Sequence, residues 1–217
     1  MENIFDISGA KFFLPNNDID SIQFCMRNER IYWDLSALHL INKYLPDNST
    51  ILDIGANIGS HSIYWAKERC AKKVYAFEPL NTTYDILTEN IKLNSLENIV
   101  IPHNFGLYNK ETNARILYFW KENLGGTSFI PDENGDFKLI TLDSLNIKDK
   151  IDLIKIDVEG AEIQTLEGAL ETINTNKPVL VIESFTHKEE VENVIFPLGY
   201  ELVETIRENE DYIYAIK

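Results

Sequence analysis

The chain has 217 residues, 44% of them hydrophobic, and its 20 basic and 35 acidic side chains give a formal net charge of −15. That length supplies apolar material for one core and leaves no room for a second domain of any size. An acidic surface repels phosphate backbones, so we expect no nucleic-acid partner. No window approaches the roughly 18 consecutive apolar residues that a membrane span requires.

The cysteines and the N-terminal segment bear on the location of the protein. Cys25 and Cys70 show no metal-ligand spacing, and we expect both to be free thiols in a reducing compartment. Residues 1–14 contain acidic side chains and no long apolar run, which argues against a signal peptide. We therefore expect a soluble, cytoplasmic protein with no membrane partner, and the sequence leaves its oligomeric state open.

The predicted elements begin with a helix over residues 33–45 that could cover one edge of a sheet. After it, in chain order, we expect a strand over 50–54, a helix over 60–69, a strand over 73–77, a helix over 81–95, a strand over 98–102, extended segments over 114–120 and 137–141, a strand over 151–156, a helix over 161–173, a strand over 178–183, a helix over 187–196 and an antiparallel pair over 200–204 and 212–216. This alternation predicts an α/β, Rossmann-like fold. Its central sheet would be mostly parallel, with helices on both faces and an antiparallel closing strand.

The predicted organisation is a single domain over residues 1–217. We expect residues 49–217 to form the Rossmann-like core and residues 1–48 to form a lid segment. Between the extended segments, residues 121–136 are rich in glycine and proline and predict a long excursion from the core.

A glycine-containing turn follows the first core strand, where open α/β sheets bind ligands. Asp53 ends that strand, Gly55 permits a tight turn, and Gly59 lets the next helix start close to the strand. Ala56, Asn57 and Ser60 complete a turn whose N–H groups could receive a carboxylate. Because Asn57 stands where the dinucleotide fingerprint needs a second glycine, the turn is more typical of S-adenosylmethionine binders, and Asp53 would suit that donor's ammonium group.

A second acidic residue follows the next strand, in the run Phe77-Glu78-Pro79. Glu78 comes 25 residues after Asp53, close to the separation of about 20 seen for carboxylates that grip ribose hydroxyls. After the third strand, Asn104 and Phe105 occupy the expected adenine position, where Phe105 could stack and Asn104 could pair with a ring edge. We therefore predict that Glu78, Pro79, Asn104 and Phe105 contact the cofactor.

The strand over 151–156 ends in an unusual charged run, Lys155-Ile156-Asp157-Val158-Glu159-Gly160-Ala161-Glu162. Charges inside an apolar strand are costly unless they are paired, so at this edge of a sheet they usually face a site. Glu159 and Glu162 also suit a plain helix start, where the dipole favours anions.

Several of these segments together resemble the FkbM family of methyltransferases. The matching segments are Leu52 to Gly59, Tyr75 to Pro79, Asn90 to Asn94, Thr141 to Leu145, Lys155 to Glu162 and Pro178 to Glu183. The resemblance covers about residues 50–184 and implies a class I methyltransferase fold, with S-adenosyl-L-methionine as methyl donor and S-adenosyl-L-homocysteine as product. It also implies O-methylation of a sugar, glycan or related natural-product hydroxyl, with the N-terminal segment on the acceptor side.

Methyl transfer to a hydroxyl needs a base within hydrogen-bond reach, about 2.6–3.2 Å. Asp157 is the first candidate for this base and is also a predicted cofactor contact. The secondary candidates are Glu159, Glu183 and His187. Lys155 could pair with Glu183 and hold it in place. Asp157 and Glu183 could also hold Mg²⁺, but the sequence shows no dedicated ligand cluster and a metal is not favoured.

Other side chains and other activities stay open at the level of sequence. His61 could touch the cofactor or cap a helix, and Tyr32, Trp33 and Trp120 could stack on sugar rings or belong to the core. The alternative functions are an NAD(P)-dependent oxidoreductase on a similar sheet and a methyltransferase that acts on an amino group.

Overall fold

The computed structural model describes residues 3–207 and 211–216, so residues 1–2, 208–210 and 217 of the expected domain lie outside it. The strands are β1 (Ile4–Ile7), β2 (Ala10–Phe13), β3 (Thr50–Ile54), β4 (Lys73–Phe77), β5 (Val100–His103), β6 (Gly106–Leu107), β7 (Thr112–Tyr118), β8 (Ser128–Pro131), β9 (Phe137–Ile140), β10 (Leu153–Ile156), β11 (Val179–Glu183), β12 (Tyr200–Ile206) and β13 (Asp211–Ile216). The helices are α1 (Ser21–Glu29), α2 (Leu35–Ile41), α3 (Ser60–Glu68), α4 (Asn81–Leu93), α5 (Glu162–Glu167), α6 (Leu170–Asn176) and α7 (Lys188–Ile195).

A seven-stranded sheet in the order β12-β13-β11-β10-β3-β4-β5 forms the centre of the fold. Strands β3, β4, β5, β10 and β11 are parallel, and β13 runs antiparallel to both of its neighbours. This confirms the predicted Rossmann-like fold with its antiparallel closing strand. Because parallel strands point the same way, β3, β4, β10 and β11 bring their carboxyl ends to one edge of the sheet.

Helices cover both faces of the sheet, as the continuous apolar strands predict. Successive residues of β3 alternate between two buried clusters. Ile51 packs with side chains of α1 to α4, and Leu52 packs with side chains of α5 to α7. In the part of the chain that the structure describes, no helix combines the length and apolarity needed to cross a bilayer.

The predicted helix over 161–173 is two helices, α5 and α6, separated at Gly168. A Cβ at Gly168 would lie 2.0 Å from the backbone oxygen of Tyr108, so the chain passes too close there for a larger residue. The Asp143 carboxylate then accepts hydrogen bonds from the N–H groups of Glu171 (2.9 Å) and Thr172 (2.8 Å) and caps the second helix.

The N-terminal segment contains a hairpin, β1-β2, and helix α1, none of which the sequence predicted. Ser8 and Gly9 both have positive φ, at 49° and 84°, as a two-residue hairpin turn with primed geometry requires. Asn90 of α4 accepts a hydrogen bond from the Phe13 N–H at 2.6 Å, and Asn94 accepts one from the Lys11 N–H at 3.0 Å. The hairpin is thereby fixed to α4.

The predicted excursion over 121–136 is largely ordered. Strand β8 pairs antiparallel with β7 in a separate four-stranded sheet, in the order β6-β9-β7-β8. Asp20, only 2% exposed, ties this region to the N-terminal segment. One of its oxygens caps α1 at the Gln23 N–H (2.9 Å), and the other accepts from the Leu124 N–H (2.8 Å).

Candidate active site

A cavity of about 390 Å³ opens at the carboxyl ends of β3, β4, β10 and β11. The lining residues are Ile22, Trp33, Asp34, Ala37, Ile41, Ile54 to Ile58, Ser60, His61, Phe77 to Pro79, Gly106 to Tyr108, Trp120, Asn123 to Gly125, Thr127, Phe129, Leu139, Lys155 to Glu159, Ala161, Val181, Glu183, Phe185, Ile206, Arg207 and Asp211. The N-terminal segment and the residues around β8 therefore form walls of the same cavity as the sheet edge.

The turn after β3 forms the floor of this cavity. Gly55 has φ +80°, and a Cβ there would lie 1.7 Å from the backbone oxygen of Asp157, so only glycine fits. Asn57 and Gly59 also have positive φ, at 49° and 86°. Ala56, Asn57 and Ser60 line the cavity as predicted, whereas Gly59 starts α3 behind it, against Leu87.

Glu78 lies at the next strand end and is 7% exposed. Its Oε2 accepts a hydrogen bond from the Asn57 N–H at 2.8 Å and its Oε1 accepts one from the Leu80 N–H at 2.9 Å. Burial raises the pKa of Glu78 to about 7. Pro79 lines the cavity beside it. A carboxylate has about four acceptor positions, so Glu78 still has acceptor capacity for a ribose hydroxyl.

The structure places Asn104 and Phe105 differently from the prediction. Neither lines the cavity, because Phe105 packs against Phe77 (ring centroids 5.7 Å apart) and the exposed Asn104 donates to the backbone oxygen of Glu78 at 3.0 Å. Gly106, Leu107 and Tyr108 line this part of the cavity instead. The cofactor contacts of Asn104 and Phe105 stay a prediction.

Asp53 lies behind the wall of the cavity. The side chain is fully buried and does not line the cavity. Its Oδ2 accepts a hydrogen bond from Ser62 Oγ at 2.6 Å, and its Oδ1 lies 3.4 Å from Lys155 Nζ. Asp53 faces the core side of β3, and its contact with a donor's ammonium group stays a prediction. Its carboxylate holds Lys155.

Lys155 connects the buried acid to the cavity. Its Nζ donates to the backbone oxygen of Gly55 at 3.0 Å and lies 3.0 Å from Asp157 Oδ2. The expected pair with Glu183 is not formed, because the strand register aligns Lys155 with Asp53 on one side and Val181 on the other. Burial alone would lower the pKa of Lys155, but the charges of Asp157 and Asp53 raise it overall.

Asp157, Glu159 and Glu183 converge at the cavity wall. One oxygen from each lies within 4.8 Å of the others. Burial would raise the pKa of Asp157, but the Lys155 ammonium and a hydrogen bond from Glu183 lower it overall. Burial and the nearby charge of Asp157 raise the pKa of Glu183. The same two causes raise the pKa of Glu159 to about 7. Asp157 is therefore the ionised member of the group at neutral pH.

The two predicted histidines have different environments. His61 lines the cavity, packs its ring edge-on against Trp65 (centroids 5.8 Å apart), and has a pKa lowered by burial. His187 does not line this cavity, and its Nδ1 lies 3.8 Å from Glu190.

The three predicted aromatic residues do not share one role. Trp33 and Trp120 line the cavity, so their faces are available to a ligand. Tyr32 is 1% exposed and packs edge-on against Phe12 and Tyr64, which makes it a core residue.

A charged group at the far wall was missed by the sequence analysis. Arg207 Nη2 lies 3.0 Å from Asp34, 2.8 Å from Asp211 and 3.9 Å from Glu183. Burial raises the pKa of Asp211 to about 6 despite the Arg207 charge. Asp34 comes from the N-terminal segment and Arg207 from the end of β12, so no spacing along the chain indicates their meeting.

Two relatives show similarity over much of the chain. The chain is 30% identical to "Methyltransferase sdnD" of Sordaria araneosa, with 57% of this chain and 61% of that protein covered. It is 28% identical to "Hexuronic acid methyltransferase AglP" of Haloferax volcanii, with 79% of this chain and 71% of that protein covered. The chain therefore spans less than two thirds of the first relative.

Solved structures share the fold at low sequence identity. "Methyltransferase FkbM" from Methylobacillus flagellatus KT superposes with a TM-score of 0.59 at 18% identity, covering 83% of this chain and 47% of that one. Streptococcus pneumoniae Sp1610, solved with S-adenosyl-L-methionine, gives 0.55 at 13% identity, covering 83% and 70%. These matches support a class I methyltransferase fold.

A family model described as "Methyltransferase FkbM domain" matches residues 53–214, which include both charged strand ends and most of the closing strand pair. The chain belongs to the FkbM family of methyltransferases.

Proposed function

We propose that the protein transfers a methyl group from S-adenosyl-L-methionine to a hydroxyl of a sugar, glycan or related natural product. The observation that carries this proposal is an ionised carboxylate, Asp157, fixed by Lys155 beside the Gly55 turn and 30% exposed toward the cavity. The name of one relative, a hexuronic acid methyltransferase, supports a sugar acceptor.

The residues present fit the proposed donor. A cavity of about 390 Å³ has the size of a small-molecule pocket, which is roughly 300–1,000 Å³. Glu78 retains acceptor positions for the ribose, and Gly106 to Tyr108 flank the adenine position. Thr127, 5% exposed, lines the cavity, and its hydroxyl has no hydrogen-bond partner among residues 3–207 and 211–216, so it is available to a ligand.

The chemistry divides simply between donor and protein. S-adenosyl-L-methionine supplies an electrophilic methyl group on a positively charged sulfur. The acceptor oxygen forms a bond to the methyl carbon as the carbon–sulfur bond breaks and its electron pair stays on sulfur. Asp157 takes the hydroxyl proton, and Lys155 keeps its carboxylate ionised and oriented. Glu159 and Glu183 flank the base, and Trp33 and Trp120 offer flat apolar faces to the acceptor.

Two measurements test this function. Calorimetry should detect binding of S-adenosyl-L-homocysteine and no comparable binding of NAD, since the turn lacks the dinucleotide pattern. An assay with labelled donor against nucleotide sugars, glycans and amine-bearing analogues should then label a hydroxyl. Labelling of an amine alone would contradict the hydroxyl acceptor, and a folded protein that binds neither donor nor product would contradict the methyl donor.

Donor affinity should rise with pH across the pKa of Glu78, about 7 in the free protein. Ribose hydroxyls donate to the ionised carboxylate, and protonation below that pH removes an acceptor. Binding is therefore weakest on the acid side and levels off above pH 7. Titrations of the product across this range should show the slope in the wild type and a weaker, flatter profile in Glu78→Gln. The exposed Glu97→Gln control should keep the wild-type profile, and an unchanged slope in Glu78→Gln would exclude this role.

A further inference from the structure

We propose that Asp157, Glu159 and Glu183 bind a divalent metal ion of the hard, oxygen-preferring class, such as Mg²⁺ or Mn²⁺. The assignment of a catalytic use to this ion rests on the proposed function, but the binding itself does not. The group is larger than the Asp157 and Glu183 pair visible in the sequence, because the structure adds Glu159.

The spacing of the oxygens suits such an ion. One oxygen from each residue lies within 4.8 Å of the others. Ligands on opposite sides of Mg²⁺ are roughly 4.2 Å apart, and around Ca²⁺ about 4.8 Å, given bond lengths of about 2.1 and 2.4 Å. Side-chain rotations that draw these oxygens closer together would let a hard cation contact all three carboxylates.

The basic groups near this wall are already engaged by other carboxylates. Lys155 is already paired with Asp53 and Asp157. Arg207 makes its close contacts to Asp34 (3.0 Å) and Asp211 (2.8 Å) and reaches Glu183 only at 3.9 Å. Glu159 has no ion-pair partner within the described ranges. The carboxyl groups at this wall therefore outnumber the basic groups that could neutralise them.

Ser184 provides an independent observation. It is 4% exposed, and its hydroxyl has no hydrogen-bond partner among the residues that the structure describes. It lines a small cavity of about 50 Å³ together with Glu159 and Glu183. Buried hydroxyl groups normally have a partner, so this one is available to a ligand. A neutral oxygen beside two carboxylates matches the ligand chemistry of hard cations.

An ion at this place would serve the methyl transfer. Lys155 makes Asp157 a weak base, and a sugar hydroxyl is a weak acid. A divalent cation that contacts the acceptor oxygen lowers the pKa of the hydroxyl, so a weak carboxylate base can remove its proton. It would also fix the position of the oxygen relative to the methyl group.

Metal binding is tested on the full chain without donor, by calorimetry and by Mn²⁺ electron paramagnetic resonance. We expect saturable binding of one Mn²⁺, weakened at least tenfold in Glu183→Gln and in Glu159→Gln. Ser184→Ala should show a smaller loss. Glu167→Gln, an exposed acid on the neighbouring helix α5, is the matched control and should bind like the wild type. Thermal melting checks that each variant is folded, and either glutamine variant suffices if the other does not fold.

The outcomes separate this inference from the proposed function. A folded protein that binds S-adenosyl-L-homocysteine but shows no saturable Mn²⁺ or Ca²⁺ binding at millimolar concentration overturns the metal site alone. Binding of Mn²⁺ without binding of the product overturns the proposed function alone. An equal loss of Mn²⁺ binding in Glu167→Gln would mean that the ion binds the acidic surface in general, which also overturns the site.

Discussion

Asp157→Asn should reduce the rate of methyl transfer by about 10²–10⁴-fold, the usual contribution of a general base. Asparagine keeps the size of the side chain but cannot take the proton from the acceptor hydroxyl. Product binding should remain measurable, because the predicted donor contacts at Gly55 and Glu78 are untouched. Single-turnover assays with labelled donor measure the first effect, and calorimetry with S-adenosyl-L-homocysteine measures the second.

The matched control for this variant is Asp85→Asn on the exposed face of α4, which should transfer methyl groups at the wild-type rate. Thermal melting distinguishes a lost base from a lost fold. If Asp157→Asn turned over normally, the base role would pass to Glu159 or Glu183, and the corresponding glutamine variants would show which.

Lys155→Met should destabilise the protein by about 3–5 kcal/mol, because removing one partner of a buried ion pair leaves a buried charge unpaired. Asp53 is fully buried and would keep only the hydrogen bond from Ser62. Denaturant unfolding followed by circular dichroism measures the loss. Activity should fall as well, since Asp157 would lose the ammonium that orients it.

Lys150→Met is the comparison for this loss, because its side chain is 76% exposed and its pair with Asp152 should contribute about 0–1 kcal/mol. Adding Asp53→Asn to Lys155→Met should restore part of the stability, since the unpaired charge is removed. A Lys155→Met protein as stable as Lys150→Met would show that the ion pair does not stabilise the fold.

The core strands could be predicted because their residues are apolar on both faces and end at glycine or proline. The runs 50–54 and 73–77 match β3 and β4 residue for residue. The hairpin β1-β2 could not be predicted in the same way. Its strands are four residues long, and they are held by side chains of α4 that come about 80 residues later.

The sequence could predict which charged residues belong to the candidate site, but it could not predict which of them form ion pairs with each other. Lys155 and Asp157 could be predicted as site residues because burying a charge at the end of an apolar strand is costly unless the charge is paired or faces a site. The partner of Lys155 depends on the register of β10 against β3, which the hydrophobic pattern does not encode. Arg207 and Asp34 meet only through tertiary packing, so the far wall could not be predicted.

The double use of Asp20 links two parts of the cavity that are far apart in sequence. One oxygen fixes the start of α1 and the other fixes Leu124, so Ile22 and residues 123–127 hold their positions relative to each other. Grafting either stretch alone from a relative would misalign the two walls. Attempts to re-engineer the choice of acceptor should therefore exchange residues 20–34 and 120–129 together, as one cassette.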